Sequence, residues 1–144
     1  MIARALVLAA AVALTGCGEP LPIHVEGHAP GRLPFVLEDA CDLLAIVCEA
    51  APSGWGSIGV ELVPALPPEI RAVRGVTQGG GSCAPSIWVE PDPVLIAHEL
   101  GHALGLEHRD GPGLMRALNP GDDLTDAELG DVERGADRLV GCRF

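Results

Sequence analysis

The stretch H-E-L-G-H-A-L-G-L-E-H, from His98 to His108, decides how this chain must fold. His98 and His102 are four residues apart, which places both imidazoles on one face of a helix. Gly105 lets the chain leave that helix through the left-handed backbone conformation, so that His108 can return as a third nitrogen donor. Three histidine ligands leave the fourth position of a tetrahedral zinc ion open to water, which is typical of catalytic zinc sites and not of structural ones.

Glu99 follows the first histidine and points to the side of the histidine pair. It is therefore placed to act as a general base without ligating the metal itself. The alternative interpretation is an amphipathic helix with incidental histidines. It is disfavoured because three of the chain's five histidines fall within these eleven residues.

The sequence also indicates where this helix begins and where it ends. Asp92 is a suitable N-cap, Pro93 suits the first helical position, and the pattern predicts a helix over residues 94–104 that stops at Gly105. Apolar residues surround the histidine-bearing face, so we expect the helix to be buried on more than one side.

The N-terminus has the pattern of an export signal. Arg4 precedes an apolar run over residues 5–14 that is too short to span a bilayer as a mature helix. The following Leu14-Thr15-Gly16-Cys17 resembles the bacterial lipobox, which implies cleavage after residues 1–16 and a lipid on Cys17. We therefore expect an exported protein, lipid-anchored in the cell envelope on the periplasmic face or the cell surface. The alternative is an ordinary secretory signal with a chance cysteine.

The composition narrows the possible partners. The chain has 144 residues, a formal net charge of −11 and neither lysine nor tyrosine. A strongly acidic domain is a poor candidate for binding nucleic acid or anionic membrane surfaces. The length favours one domain, which we expect to be a monomer that contacts the membrane only through its lipid.

Four cysteines remain besides Cys17, an even number that suits disulfides in an oxidising compartment. Cys41 and Cys48 share a face of a predicted helix but lie about 10 Å apart along its axis, beyond disulfide reach. We therefore expect one of them to pair with Cys83 and the other with Cys142, in an undetermined order. A thiolate metal site is disfavoured because no C-x-x-C spacing occurs.

The rest of the chain predicts an α/β fold. Proline and glycine make residues 17–31 a tether after the lipidated cysteine, although residues 23–26 alternate as in a short strand, and the folded domain is expected over 32–144. The apolar periodicities predict a helix over 35–51, strands over 58–63, 72–78 and 86–90, and a C-terminal helix. This last helix begins with a capping box of Thr125 and Glu128 and is expected to end at Gly141.

Two further features are not assigned a role in catalysis or ligand binding. The Gly79-Gly80-Gly81 run lacks the lysine and helix of a phosphate-binding loop and predicts a flexible connection. Asp122 and Asp123 are interpreted as a solvated turn, because no ordered set of oxygen ligands for calcium surrounds them.

The pattern H-E-x-x-H-x-x-G-x-x-H at His98 to His108, with Met115 at the position of the Met-turn, resembles the metzincin clan of zinc proteases. The resemblance implies zinc bound by His98, His102 and His108, Glu99 as general base, and Met115 packed beneath the metal. It also implies a mostly parallel twisted sheet with one antiparallel edge strand, packed by an N-terminal helix and the zinc-binding helix, plus a C-terminal helix.

Within the clan, V-L-I-A-H-E-L-G-H-A-L-G-L-E-H and the seven-residue step to Met115 look most like matrixins. Arg109 departs from that family, which usually has serine there, and no cysteine-switch propeptide is visible. The lack of tyrosine excludes the tyrosine ligand of astacins and serralysins. By resemblance, the edge strand lies near residues 73–78 and binds substrate at Val76, and the residues that form the specificity pocket are Ala117, Leu118 and Asn119.

These features together predict a zinc-dependent endopeptidase acting on peptide or protein substrates. The competing hypothesis is a non-enzymatic zinc-binding envelope lipoprotein. Glu99 argues against it, because a purely structural zinc site does not need that carboxylate.

Overall fold

A five-stranded sheet and three helices make up the part of the chain that the computed structural model describes, residues 18–29, 31–64, 74–117 and 120–143. The elements follow in the order β1 (Leu21–Val25), α1 (Phe35–Leu43), β2 (Cys48–Ala50), β3 (Ile58–Leu62), β4 (Gly75–Gln78), β5 (Ser86–Val89), α2 (Pro93–Ala103) and α3 (Asp126–Gly141). The strand order across the sheet is β2-β1-β3-β5-β4. The predicted α/β fold is confirmed.

One face of the sheet is buried and the other is largely open. Ile58 and Val60 on β3 and Ile87 and Val89 on β5 are all at most 1% exposed, whereas Trp88 between the last two is 42% exposed. This alternation follows from the two-residue repeat of a strand, which turns successive side chains to opposite faces. Helices α1 and α2 contribute fully buried side chains to the same core, which fixes α2 against the sheet.

The sheet is parallel except at one edge. β1 pairs in parallel with β2 and β3, and β3 pairs in parallel with β5. β4 pairs antiparallel with β5, with Val76 opposite Trp88, and no other strand of the described residues pairs with it. The edge strand expected near residues 73–78 is therefore confirmed for Gly75–Gln78, while positions 72 and 73 lie outside the described residues.

β1 lies inside the sheet, between β2 and β3. The predicted short strand at 23–26 is found at Leu21–Val25, but the interpretation of residues 17–31 as a tether is wrong for this segment. Leu21 and Ile23 are almost fully buried. The prolines around them suppress a helix but do not prevent an extended strand.

The first helix is shorter than predicted. α1 ends at Leu43, and Ala45 follows with φ 55°, while its N–H donates to Asp42 and that of Ile46 donates to Cys41. At this helix end, alanine takes the left-handed conformation that glycine usually adopts. The sequence therefore has no glycine to mark the end of the helix. The chain then reverses into the short strand β2, which was not predicted.

The predicted cysteine pairing is wrong for the same reason. The disulfides join Cys41 to Cys48, with Cα atoms 6.2 Å apart, and Cys83 to Cys142. The separation of about 10 Å assumed one continuous helix. Because the chain reverses at Ala45, the helix is not continuous, and Cys48 lies close to Cys41.

The C-terminal helix α3 begins as predicted. The Thr125 hydroxyl accepts a hydrogen bond from the N–H of Glu128, and the Glu128 carboxylate accepts one from the N–H of Thr125. Gly141 is the last helical residue rather than a residue beyond the end, and Cys142 caps the helix. Among the described residues, no helix combines the length and the apolar character needed to cross a bilayer.

Candidate metal and active site

Helix α2 begins and ends as the sequence predicted. The Asp92 carboxylate accepts hydrogen bonds from the N–H groups of Val94 (2.9 Å) and Leu95 (3.1 Å). At the other end, Gly105 has φ 96°, its N–H donates to His102 and the N–H of Leu106 donates to Gly101. This paired pattern is a Schellman stop, which turns the chain back towards the histidine face.

The three predicted histidines converge on one point. The Nε2 atoms of His98 and His102 are 3.2 Å apart, those of His98 and His108 are 3.2 Å apart, and those of His102 and His108 are 3.0 Å apart. His98 is buried, His102 is half-buried and His108 is exposed. The cluster therefore has one side inside the domain and one side open to solvent.

Backbone carbonyls fix the orientation of two of the rings. The Nδ1 atom of His98 lies 2.7 Å from the carbonyl oxygen of Leu114, and that of His102 lies 2.7 Å from the carbonyl oxygen of Leu106. Because a carbonyl only accepts, each Nδ1 carries the proton and each Nε2 presents a lone pair. Burial lowers the pKa of His98 and outweighs the opposing effect of the Leu114 carbonyl, so this imidazole is held in its neutral form.

Converging lone pairs repel one another unless a cation lies between them. Ligand atoms at about 2.0–2.1 Å from a tetrahedral zinc ion are about 3.3 Å apart, close to the separations in this cluster. The protonated Nδ1 atoms with carbonyl partners match the supporting hydrogen bonds that metal-bound histidines ordinarily make. The residues present therefore fit a metal ion held by His98, His102 and His108.

Glu99 lies beside the cluster and contacts the edge strand. It is 6% exposed, and its carboxylate accepts a hydrogen bond from the hydroxyl of Thr77 on β4. Gly75 leaves space for the same side chain, because a Cβ atom there would lie 2.8 Å from both Cγ and Oε1 of Glu99. Two β4 residues thus shape the position of Glu99, and neither was singled out from the sequence.

Met115, which the resemblance places beneath the metal, is fully buried and lies against α2. A Cβ atom on Gly101 would lie 2.5 Å from the Met115 sulfur, so the two residues are in close contact. The carboxylate of Glu128 accepts hydrogen bonds from the N–H groups of Leu114 (3.2 Å) and Met115 (2.6 Å). Through Leu114, whose carbonyl binds His98, this buried glutamate of α3 supports the first histidine.

Glu128 was predicted only as a capping residue. Its burial would raise its pKa, but the hydrogen bonds from the backbone of Thr125 and Met115, from the Thr125 hydroxyl and from Leu114 outweigh burial and lower the pKa. No local signal could have revealed this role, because the amides of Leu114 and Met115 come from a segment more than ten residues away.

The glycine run after β4 packs closely against the end of α2. The N–H of Gly81 donates to the carbonyl of Ala103 (3.1 Å), and a Cβ atom on Gly80 would lie 2.5 Å from the carbonyl oxygen of His102. The expectation of a merely flexible connection is therefore wrong. Glycine is required here because two backbones approach each other too closely for a side chain.

A groove of about 940 Å³ runs over the histidine cluster and along β4. Val76 and Ala117, both predicted to contact substrate, line it. Strand alternation turns the Val76 side chain away from Gly75 and Thr77, which face Glu99, so Val76 offers the groove mainly its backbone. The other predicted positions, Leu118, Asn119 and Cys17, lie outside the described residues.

Four other acidic and histidine side chains, at positions 24, 28, 122 and 123, play no part in this cluster. Asp122 and Asp123 are exposed, and His24 and His28 lie on or beside β1. Among the described residues, only His98, His102 and His108 form a group with metal-ligand geometry.

Comparisons with known proteins agree with this geometry. No protein-family model matches the chain. An alignment over 55 residues, which covers 33% of this chain, is 51% identical to human "A disintegrin and metalloproteinase with thrombospondin motifs 13", and the mouse protein of that name is 46% identical over 56 residues. The match spans 4% of the length of each of these relatives.

The fold resembles that of a solved metalloproteinase. The crystal structure of metalloproteinase-II from Bacteroides fragilis superimposes with a TM-score of 0.55 at 14% sequence identity, covering 88% of this chain and 54% of that one. At this identity the likeness concerns the fold, a metalloproteinase-like α/β domain whose sheet and helix α2 hold the histidine cluster.

Proposed function

We propose that this protein is a zinc-dependent endopeptidase. The observation that carries the proposal is the convergence of three Nε2 lone pairs beside a buried carboxylate, at the floor of a groove that follows an open sheet edge. Imidazole nitrogens in a three-ligand set suit zinc, and the short match to proteins named as metalloproteinases supports a metal-dependent protease. The finer assignment to matrixins stays a prediction.

The edge strand provides a way to bind peptide. In the part of the chain that the structure describes, β4 has β5 on one side and the groove on the other, so its outer backbone groups could pair with an extended substrate. The main chain around Val76 would supply these hydrogen bonds, and the groove wall at Leu95 and Ala117 would contact substrate side chains. Substrate bound in this way lies directly above Glu99 and the histidines.

Each residue of the site has a distinct task. His98, His102 and His108 would hold the zinc ion, which supplies Lewis acidity towards a carbonyl oxygen and lowers the pKa of a water molecule. Glu99 is placed to accept a proton from the attacking water and to deliver it to the leaving amine. Thr77 and Gly75 orient the Glu99 carboxylate for these transfers.

The second candidate is a non-enzymatic zinc-binding envelope lipoprotein. It is weakened by Glu99, because a buried carboxylate held by a hydroxyl group from strand β4 has no role in a purely structural metal site. A structural zinc site also takes a fourth protein ligand as a rule, and three of the residues that the structure describes form this cluster.

The deciding experiment compares the parent chain with Glu99→Ala. Zinc content, measured by atomic emission, should stay the same, while cleavage of an unfolded protein substrate should fall by about 10²–10⁴-fold, the usual contribution of a general base. Glu61→Ala, which removes an exposed carboxylate on β3, is the matched control and should cleave at the parental rate. A parent chain that holds zinc and cleaves nothing would favour the binding protein instead.

We further propose that the enzyme is exported and anchored through a lipid on Cys17. The lipobox-like Leu14-Thr15-Gly16-Cys17 and the two disulfides support an oxidising location. Replacing Cys17 with alanine in a bacterial host should move the protein from the membrane fraction to the soluble fraction and abolish labelling by radioactive palmitate. Unchanged fractionation with no label in the parent would exclude the anchor.

A further inference from the structure

The loop between His108 and Met115 carries the exposed member of the histidine cluster. The next residue, Arg109, is bound at two points: its N–H donates to the carbonyl of Met115 (2.9 Å), and its guanidinium contacts the carboxylate of Asp131 on α3. The first bond closes the loop on itself. The second ties the loop to the helix that also carries Glu128.

The Asp131 carboxylate divides its two oxygens between two arginines. Oδ2 contacts Arg109, and Oδ1 contacts Arg134, which lies three residues further along α3. The side chains of Arg109 and Asp131 are 38% and 27% exposed, whereas that of Arg134 is 72% exposed. The link between loop and helix is therefore the better shielded of the two ion pairs, and solvent screens it less.

The position of His108 depends on this loop, whereas His98 and His102 are held by a helix. His98 and His102 project from the buried helix α2, and each ring is also bound by a backbone carbonyl. His108 lies beyond the end of that helix, and it is exposed. The position of its Nε2 atom is therefore set by the path of the backbone, and Arg109 is the residue next to it that is fixed to the body of the domain.

We propose that Arg109 is a positioning residue for the metal site. Its bridge to Asp131 holds the loop against α3, so that His108 points at the other two histidines before the metal ion arrives. Preorganising a ligand in this way raises metal affinity, because less conformational entropy is lost on binding. The inference rests on the metal site of the proposed function and does not require peptide hydrolysis.

The test compares Arg109→Ala with Arg134→Ala, using zinc ions alone as the probe. Both variants remove one arginine and one contact with Asp131, but only the first releases the loop. Competition with a chromophoric chelator should show zinc binding roughly three- to tenfold weaker in Arg109→Ala and unchanged in Arg134→Ala. Equal zinc affinity in the two variants would overturn the proposal.

A double-mutant cycle separates the bridge from a general loss of stability. Asp131→Ala should weaken zinc binding as Arg109→Ala does, and the double variant should be no weaker than either single variant. Additive losses would show that the two residues act separately and would also overturn the proposal. Melting of the metal-free proteins checks folding, and if Arg109→Ala fails to fold, Asp131→Asn tests the same bridge from its other end.

The outcomes for the parent chain keep this inference distinct from the proposed function. A parent that binds zinc but cleaves no substrate would overturn the endopeptidase and leave the Arg109 test fully readable. A parent that binds no zinc would overturn both.

Discussion

The hydroxyl group of Thr77 on the edge strand donates a hydrogen bond to the carboxylate of Glu99 on the histidine-bearing helix. The Thr77 oxygen also lies 3.2 Å from the backbone carbonyl of Glu99. The edge strand is therefore joined directly to the proposed general base. In the proposed mechanism, substrate binding along β4 and proton transfer by Glu99 would share this one structural support.

We predict that Thr77→Val lowers kcat and leaves zinc content unchanged. Valine keeps the shape of threonine but loses the donor, and a hydrogen bond to a charged group contributes about 1.5–3 kcal/mol, which corresponds to a loss of roughly ten- to a hundredfold. KM should change little, because the β4 backbone that pairs with substrate is retained. Thr77→Ser keeps the hydroxyl and should restore most of kcat, whereas a Thr77→Val enzyme with parental kcat would contradict this role.

We predict that Glu128→Gln destabilises the protein in a pH-dependent way. The folded-state pKa of Glu128 lies below its ordinary value of 4.5, so its carboxylate stabilises the fold fully above that pH and loses the effect as pH falls through the lower folded-state pKa. The variant should be about 1–3 kcal/mol less stable near neutral pH, because an amide cannot accept from all the same N–H groups. This difference should shrink in acid.

Denaturant unfolding across this pH range measures the effect of Glu128→Gln. A chelator keeps metal release from contributing. Glu133→Gln, an exposed glutamate on the same helix, is the control and should change stability little at any pH. A difference for Glu128→Gln that stays constant down to the most acidic point would contradict the assigned role of the carboxylate.

We predict that Gly101→Ala weakens the metal site. The new methyl group would lie 2.5 Å from the Met115 sulfur, so Met115 must move, at a cost of about 1–3 kcal/mol in stability. Gly130→Ala on α3 is the matched control, because its Cβ atom would meet only the flexible end of Arg134. The control should stabilise its helix by up to about 1 kcal/mol. Thermal melting and zinc titration of both variants test this contrast. Equal effects of the two substitutions would contradict the prediction.

We predict unequal contributions from the two disulfides. Cys83–Cys142 closes a loop of 59 residues and Cys41–Cys48 one of 7, so loop entropy assigns them about 4 and about 2 kcal/mol. Paired replacement by alanine, followed by urea unfolding, measures each contribution. The 83/142 variant should have the lower free energy of unfolding, and the opposite ranking would show that native contacts outweigh loop length.

The histidine site could be predicted from the sequence because its determinants are local. Asp92, Gly105 and the spacing of the three histidines act within about fifteen residues, where helix geometry is regular. Met115 was expected from the resemblance, and it is buried against Gly101 of the histidine-bearing helix. The same local rules predicted the capping box that begins α3.

The features that the sequence did not predict depend on an unusual backbone conformation and on contacts between residues that are far apart in the chain. Ala45 adopts a left-handed conformation without glycine, and this one residue shortened α1, created β2 and changed the cysteine pairing. Thr77 contacts Glu99, and Asp131 contacts Arg109, although each pair is far apart in the sequence. The spacing of these residues along the chain does not predict either contact. Arg109, unexplained by the family pattern, is accounted for by a partner 22 positions away.

Helix α3 contacts the surroundings of the histidine site at several points, all of which precede it in the chain. Glu128 binds the Met115 segment, Asp131 holds Arg109, Arg138 donates to the carbonyl of Leu104, and Cys142 is bonded to Cys83. During synthesis, α3 is therefore made after all of these partners. The histidine site of the growing polypeptide lacks the contacts with α3 until that helix has been made.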